Sequence, residues 1–296
     1  MTIAHLARIF VTALLFLPLS LQAESQLRVA SWNIEWLTSD ANRSMPNSHR
    51  SPEDFNQLQR YFDNMDLDVL SFQEINDVAA IQRVVGPDYT LWMSDRSLAS
   101  NKNHQFGDIN QYTGFAIHSS LSVTAMPSIQ LETHSRSKLR FATYVVINPE
   151  GEMPIHLLSV HLKAGCIEHY KEKKDCRRLK EQTKKLRAWI QDRELDNDAY
   201  VILGDFNHNL SAPNDWLWTE LAHQTGAVLA SKNTTPDCKV RSKREAGLTY
   251  QYRSVIDHIV LTKRLAFSAP KQTTYRAQDV LNYNLSDHCP IVMAIH

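Results

Sequence analysis

Apolar, β-branched runs of strand length recur along the whole chain and limit its architecture more than any other feature. They are LRVASWNIEWL (27–37), DVLSFQE (68–74), TGFAIHSSLSV (113–123), RFATYVVIN (140–148), IHLLSVHL (155–162), YVILGDF (200–206), SVIDHIVL (254–261) and PIVMAI (290–295). Several alternate with polar residues, as half-buried strands do. Helical patterns lie between only some of them. In SPEDFNQLQRYFDNM, Ser51 is placed to cap a helix that begins at Pro52, with acids in its first turn. In CRRLKEQTKKLRAWIQDRE, Leu179, Leu186 and Ile190 fall on one side and charge surrounds the rest. Strands outnumber helices and do not alternate with them strictly. The expected fold is therefore an α/β sandwich of two packed, mainly antiparallel sheets flanked by helices, not a doubly wound sheet.

With 43% hydrophobic and 22% charged residues, the chain has globular composition without collagen-like, coiled-coil or disordered bias. Residues 1–23, MTIAHLARIFVTALLFLPLSLQA, stand apart. Arg8 precedes an apolar run from Ile9 to Leu21, and Gln22 and Ala23 follow it. This is the layout of a secretory signal peptide cleaved after Ala23, and the run falls short of the ~20 apolar residues of a membrane span. The expected mature protein, residues 24–296, is one monomeric domain without a membrane anchor, secreted or periplasmic. Such a compartment allows disulfides, and the spacing of Cys166, Cys176, Cys238 and Cys289 fits no zinc motif. Cys166 and Cys176 bracket a short polar loop and are expected to pair. The sequence leaves open whether Cys238 meets Cys289.

Polar residues end or interrupt the strand-like runs at several places. YVILGDFNHN finishes in Asp205 and Asn207, which, two residues apart, point to the same side of the strand tip. Asn33 lies inside SWNIEW, Glu74 ends SFQE, His161 ends SVH, Asp257 lies within SVIDHIVL, and Asp287 and His288 precede the last run. Each alone reads equally well as a turn or a satisfied core group. As a set they do not, because an unpaired polar group inside a protein costs on the order of a few kcal/mol. Carboxylates and amides, without Cys ligands or HExxH, suit a hard divalent ion such as Mg2+. Histidines beside it supply acid–base function near neutral pH. These are the parts needed for water to attack a phosphate ester. The chain has no GxSxG and no nucleotide-cradling Gly loop, which sets aside serine-hydrolase and kinase chemistry.

The ordered series SWNIEWL, FQE, HLKAG, GDFN, IDHI and SDHCP, running from about Gln26 to the C-terminus, resembles the endonuclease/exonuclease/phosphatase superfamily in its deoxyribonuclease I-like branch. The resemblance implies a four-layer sandwich and a metal-dependent hydrolase of phosphodiester bonds. It implies that Asn33, Glu74 and Asp287 line the metal site, with Mg2+ as the first choice and Mn2+ or Ca2+ as alternatives. Asp205 and Asn207 would hold the phosphate and the attacking water. His161, and His288 paired with Asp257, would be the acid–base histidines. Tyr112 in NQYTGFAI matches a tyrosine that faces the phosphate, and Arg140 and Lys163 fall where substrate-binding cations are expected. His258 alternates away from Asp257 on its strand and reads as structural. One departure stands out. That branch carries a carboxylate shortly after the matching tyrosine, paired with the first histidine; here Tyr112-Thr113-Gly114 has no acid, and His161 loses that partner.

The superfamily fold hosts nucleases, sphingomyelinases and inositol-phosphate phosphatases, so the fold alone does not choose a substrate. Charge distribution leans towards nucleic acid. The formal net charge is +0, yet Lys163–Arg187 carries ten Lys or Arg against four Asp or Glu, and Lys232–Arg253 six against two. Both segments adjoin the motifs, as polyanion-binding loops would. The expectation is a nuclease of little sequence specificity, with a lipid phosphodiesterase or a non-catalytic binding protein as alternatives. No segment reads as the exposed aromatic hairpin that a lipid-surface enzyme inserts, and Trp216 and Trp218 in NDWLWTEL read as packing.

Overall fold

The computed structural model describes residues 26–41 and 45–296. The signal-peptide reading of residues 1–23 lies outside the described residues. In chain order the strands are β1 (Leu27–Leu37), β2 (Val69–Ile75), β3 (Tyr89–Met93), β4 (Tyr112–His118), β5 (Ser122–Ile129), β6 (Ala142–Asn148) and β7 (Ile155–His161). They continue with β8 (Ala199–Asp205), β9 (Ala227–Leu229), β10 (Lys239–Arg241), β11 (Thr249–Gln251), β12 (Asp257–Thr262), β13 (Lys271–Gln272) and β14 (Ile291–Ile295). The helices are α1 (Pro52–Asp63), α2 (Val78–Val85), α3 (Lys174–Leu195), α4 (Trp216–Ala222) and α5 (Ala277–Asn282).

Two six-stranded sheets form, in the orders β13-β14-β1-β2-β4-β3 and β5-β6-β7-β8-β12-β9, with β10-β11 as a separate ribbon. Each sheet has one parallel pair, β1/β2 and β7/β8, among antiparallel neighbours. Val29, Val69 and Phe115 of the first sheet pack against Leu157, Val201 and Ile259 of the second. The outer face of the first sheet (Trp32, Leu70, Phe72) is covered by Leu58 and Phe62 of α1 and Ile81 of α2. The outer face of the second (Leu158, Val160, Ile202) is covered by Leu179, Leu186 and Ile190 of α3 and Leu217 of α4. These are the four layers, helix–sheet–sheet–helix. α1 starts as its sequence predicts: Ser51 and Asp54 form a reciprocal capping box with Pro52 at the first position.

Strand alternation explains where the polar residues go. In β1 the residues facing the second sheet run Val29, Ser31, Asn33, and in β2 they run Val69, Ser71, Gln73; in β7 the series is Leu157, Ser159, His161, and in β8 Val201, Leu203, Asp205. The inner face thus passes from apolar to polar towards the C-terminal ends of both parallel pairs. The serine row is bonded across the sandwich. Ser71 Oγ donates to Ser159 Oγ at 2.8 Å, and Gln73 Nε2 donates to Ser71 Oγ at 3.0 Å, all fully buried.

Three features differ from the sequence expectation or complete it. TGFAIHSSLSV is two strands in different sheets: β4 pairs with β2 and β3, β5 with β6, and the turn at Ser119–Leu121 carries the chain across. Cys166 bonds Cys176 as expected, and Cys238 bonds Cys289. The chain also has a hairpin that sequence reading missed, the β10-β11 ribbon, with Leu248 and Tyr250 exposed by 52% and 49%. Its strands are three residues each and flanked by charge, too short to give a periodic signal. No helix among the described residues is long and apolar enough to cross a membrane.

Candidate active site

Sheet register assembles the cluster. His161 is the partner of Asp205 across the parallel pair β7/β8, and Asp257 is the partner of Asp205 across β8/β12. The three therefore lie in one row on the inner face, with Asp205 in the centre. Gly204 permits this row. A Cβ there would meet Val160 O at 2.0 Å, so the strand ends approach only because the residue before Asp205 has no side chain. From the other sheet, Asn33 Nδ2 donates to Asp205 Oδ2 at 3.0 Å and to Glu74 Oε1 at 3.3 Å, joining the two halves of the sandwich. Its oxygen accepts from Glu35 N. Glu74 sits at φ +61° where the β1/β2 and β2/β4 registers slip, a bulge that re-aims its carboxylate.

Asn207, at φ +51°, folds back so that its N–H and Nδ2 donate to Asp205 at 2.7 and 3.1 Å, and Nδ2 also reaches Leu162 O at 3.2 Å. His288 Nδ1 lies 2.7 Å from Asp257 Oδ2, and its Nε2 lies 3.9 Å from Asp205 and 3.8 Å from Asp287. Ser286 fixes this segment, donating to Asn33 O at 2.6 Å and accepting from His288 N at 3.0 Å. Asp205, Asp257 and His288 have one ligand atom each within 4.8 Å of one another.

The remaining predicted residues are placed unequally. Arg140 donates to the carbonyls of His161 and Leu162 at 3.2 and 2.5 Å, so it braces the end of β7. Tyr112 is buried at the start of β4, its ring 5.3 Å from the guanidinium carbon of Arg96. Lys163 is turned away: its ammonium pairs with Asp175 at 3.0 Å and donates to Ala164 O at 2.7 Å, and no contact links it to the cluster. His258 is fully buried between Ser231 and Leu210, away from Asp257.

Glu35 and Lys243 belong to the site and were missed. Glu35 accepts from Asp287 N at 3.0 Å and from Asn47 Nδ2 at 2.6 Å, and Lys243 Nζ lies 3.4 Å from Asp287 Oδ2. An acid two residues after Asn33 in an apolar strand was the available signal for Glu35. Lys243 falls in the basic segment Lys232–Arg253, but nothing in the sequence brought it to Asp287.

Burial and mutual repulsion set the charges. Burial pushes the Asp205 carboxyl up to about 7, and Asp257 and Glu74 add to this against the pull of His288. Burial, then Asp287, pushes Glu35 to about 7 as well. Burial holds His161 well below the ordinary histidine range, with Arg140 and His288 acting the same way, so it is neutral. For His288, burial opposes charge, but Asp257 and Asp205 overcome it and raise its pKa well above the ordinary value. The two histidines are thus driven apart, one neutral and one cationic, in a single pocket.

Residues 30–288 match the profile of the endonuclease/exonuclease/phosphatase family. The chain belongs to that family. Its members are divalent-metal-dependent hydrolases of phosphoester bonds. Solved structures agree in fold. An endonuclease/exonuclease/phosphatase protein from Bacteroides vulgatus superposes with a TM-score of 0.65 at 14% identity, covering 92% of this chain and 99% of that one. TDP2 from Caenorhabditis elegans gives 0.60 at 16%, covering 91% and 74%. A mannosyl-6-phosphatase from Bacteroides thetaiotaomicron gives 0.62 at 13%, covering 91% and 99%. A sequence search of curated proteins found no match.

Within the endonuclease/exonuclease/phosphatase fold, the glycine that follows Tyr112-Thr113 is tightly enclosed. Gly114 lies where β2, β3 and β4 crowd together, and a Cβ there would be 2.3 Å from the Phe72 ring and 2.5 Å from Trp92 O. A side chain there would point to the outer face of the sheet, away from His161, whose Nδ1 is buried without a hydrogen-bond partner. The donor set fits the family's metal. It is oxygen-rich, it carries two acids that burial, aided by neighbouring carboxylates, pushes to about 7, and Asp257 Oδ1 is buried without a partner. Glu74, joined to Asp205 through Asn33, and Asp287, beside His288, are the residues that would hold a divalent ion.

Proposed function

We propose that the chain is an exported, Mg2+-dependent phosphodiesterase that hydrolyses nucleic acid with little regard to sequence. The observation that carries this reading is cationic surface on two flanks of the carboxylate–histidine cluster. On one flank Lys171, Lys173 and Lys174 are exposed on the segment that follows His161 and is tied down by Cys166–Cys176. On the other, Lys239, Lys243 and Arg244 are exposed on the β10-β11 ribbon, whose Lys243 reaches Asp287. Backbone-directed cations are what sequence-independent binding requires. Other basic residues are spent internally: Arg178 pairs with Glu132 at 2.7 Å and Arg187 with Glu220 at 2.6 Å.

In this reading Glu74 and Asp287 would hold the cation, which when bound would supply Lewis-acid stabilisation of charge on the phosphate. Asn33 ties Glu74 to Asp205. Asp205 and Asn207 orient the attacking water. His288, oriented by Asp257, carries the proton. His161, kept neutral, donates a hydrogen bond to a phosphoryl oxygen, and Tyr112 and Arg140 line the phosphate. Lys163 contributes by tethering the basic segment through Asp175. A lipid phosphodiesterase is the second reading, favoured by Leu248 and Tyr250 exposed on the ribbon.

The test is one panel. Purified protein with Mg2+ or Mn2+ is given plasmid DNA, RNA, sphingomyelin and mannose 6-phosphate in parallel. Cleavage of DNA or RNA is expected; turnover confined to the lipid or the sugar phosphate would overturn the nuclease reading. Export is tested separately by N-terminal sequencing of protein recovered outside the cytoplasm, expected to begin at Glu24. The disulfides Cys166–Cys176 and Cys238–Cys289 accord with such a compartment.

A further inference from the structure

The β10-β11 ribbon is a small structure with an unusual amount of support. Its first residue is preceded by Cys238, bonded to Cys289 beside His288. Arg241 donates to the carbonyls of Val280, Leu281 and Tyr283 and fixes the ribbon to the end of α5. Gln272 accepts from the N–H groups of Asp237 and Cys238 at 2.8 and 3.0 Å. Val240 is buried in the core beneath it. A two-stranded ribbon of this length has little stability of its own, so these anchors hold it in one position.

What the ribbon holds up is an aromatic and cationic surface joined to the catalytic cluster. Tyr250 is half exposed, and its ring packs edge-on against Tyr252 at 5.6 Å and 86°. A groove of about 500 Å3 runs along this face, lined by Lys243, Arg244, Leu248, Tyr250 and Tyr252, with Glu245 as its one acid. A second groove, of about 340 Å3, is lined by Glu35, Asp287 and again Lys243. Lys243 is common to both, so the surface continues from Tyr250 to Asp287.

We infer that the ribbon binds an unpaired nucleic-acid strand, with a base stacked on Tyr250 and the flanking phosphates on Lys243 and Arg244. This rests on the nuclease reading above. Charge complementarity selects a polyanion, and the exposed ring selects the form of it. In a duplex each base face is covered by its neighbours, and a protein reaches only phosphates and groove edges. An unpaired strand offers both a base face and a phosphate within one step, and an aromatic ring beside lysine and arginine answers both. A single exposed tyrosine would mean nothing alone. Here it is held rigidly, backed by a second ring, and flanked by cations whose groove opens onto Asp287.

The test compares wild type, Tyr250→Ala and Tyr250→Phe on a single-stranded oligonucleotide and the same sequence as a blunt duplex, with bis-p-nitrophenyl phosphate as a third substrate for the wild type. Wild type is expected to have the lower KM on the single strand. Tyr250→Ala should raise that KM on the order of tenfold, from the loss of one stacked base, with kcat retained and the duplex KM unmoved, and Tyr250→Phe should restore it. Equal KM values for the two forms in wild type, or Tyr250→Ala with wild-type KM on the single strand, would overturn the inference and leave the nuclease reading standing. Turnover of the small diester with neither polymer cleaved would bring down the nuclease reading and the inference with it. Sedimentation with phosphatidylcholine–phosphatidylserine vesicles that is lost in Tyr250→Ala, without any single-strand effect, would assign the ribbon to a lipid surface instead.

Discussion

Asp257 Oδ2 lies 2.7 Å from His288 Nδ1, on the edge of the ring away from Asp205. That contact fixes which nitrogen faces the site and is a main reason the His288 pKa stands well above the ordinary value. Asp257→Asn should lower kcat about 10–100-fold, as loss of an orienting partner does. The limb of the pH–rate profile governed by His288 should move to lower pH, because the removed charge favoured the imidazolium. Unchanged limbs would mean that a different group titrates.

Asp205 and Glu35 are both held near pH 7 in the metal-free protein. At pH 6.5 each is therefore partly protonated, and a divalent cation favours the anionic form. Mg2+ binding at that pH should release protons, seen as a calorimetric enthalpy that depends on the ionisation heat of the buffer. The release should fade at pH 8.5, above both values. A buffer-independent enthalpy at pH 6.5 would contradict this charge assignment.

The two disulfides should differ in what they support. Cys166–Cys176 closes 10 residues and Cys238–Cys289 closes 51. Loop-closure entropy then gives about 2.7 kcal/mol for the first and about 4 kcal/mol for the second. Removing the longer one also frees the ribbon beside His288. Cys238→Ser should lower polymer cleavage at temperatures where far-UV circular dichroism is still native. Activity and fold lost together at one temperature would make that bridge purely a matter of stability.

Gly204→Ala should be among the most damaging small substitutions in the chain. Its Cβ would meet Val160 O at 2.0 Å inside the β7/β8 pair, at φ +159°. Overpacking plus backbone strain predicts a loss of about 3 kcal/mol or more. Gly107→Ala, where no atom lies within 4 Å of the added Cβ, should stay within about 1 kcal/mol of wild type. Urea denaturation midpoints measure both.

Much of this site was legible because strand alternation makes it so. A series such as Val29-x-Ser31-x-Asn33 or Leu157-x-Ser159-x-His161 fixes a face, and the polar residue at its end marks the rim of the core. What was not legible depends on contacts between distant segments. Glu35 joins Asp287 because Glu35 and Trp36, at φ +36° and +52°, turn the end of β1. Lys243 reaches Asp287 because a bridge between residues 51 apart brings the ribbon to His288. Lys163 looked free beside His161, yet Asp175 at the start of α3 takes its charge. The absence of an acid after Tyr112 was visible as a departure, but the close packing of Gly114 against the Phe72 ring and Trp92 carbonyl comes from three strands meeting.

The cluster around Asp205 is proposed as one divalent-metal-dependent site for phosphodiester hydrolysis. Its most direct test is turnover of a labelled oligonucleotide as a function of Mg2+, for wild type and Glu74→Gln, with thermal unfolding of each as a control. Wild type should be inactive in chelator and recover on adding Mg2+. Glu74→Gln should lose at least about 100-fold in kcat/KM at low Mg2+ while unfolding within a few degrees of wild type. Wild-type turnover that persists in chelator, or Glu74→Gln that matches wild type at low Mg2+, would contradict the claim.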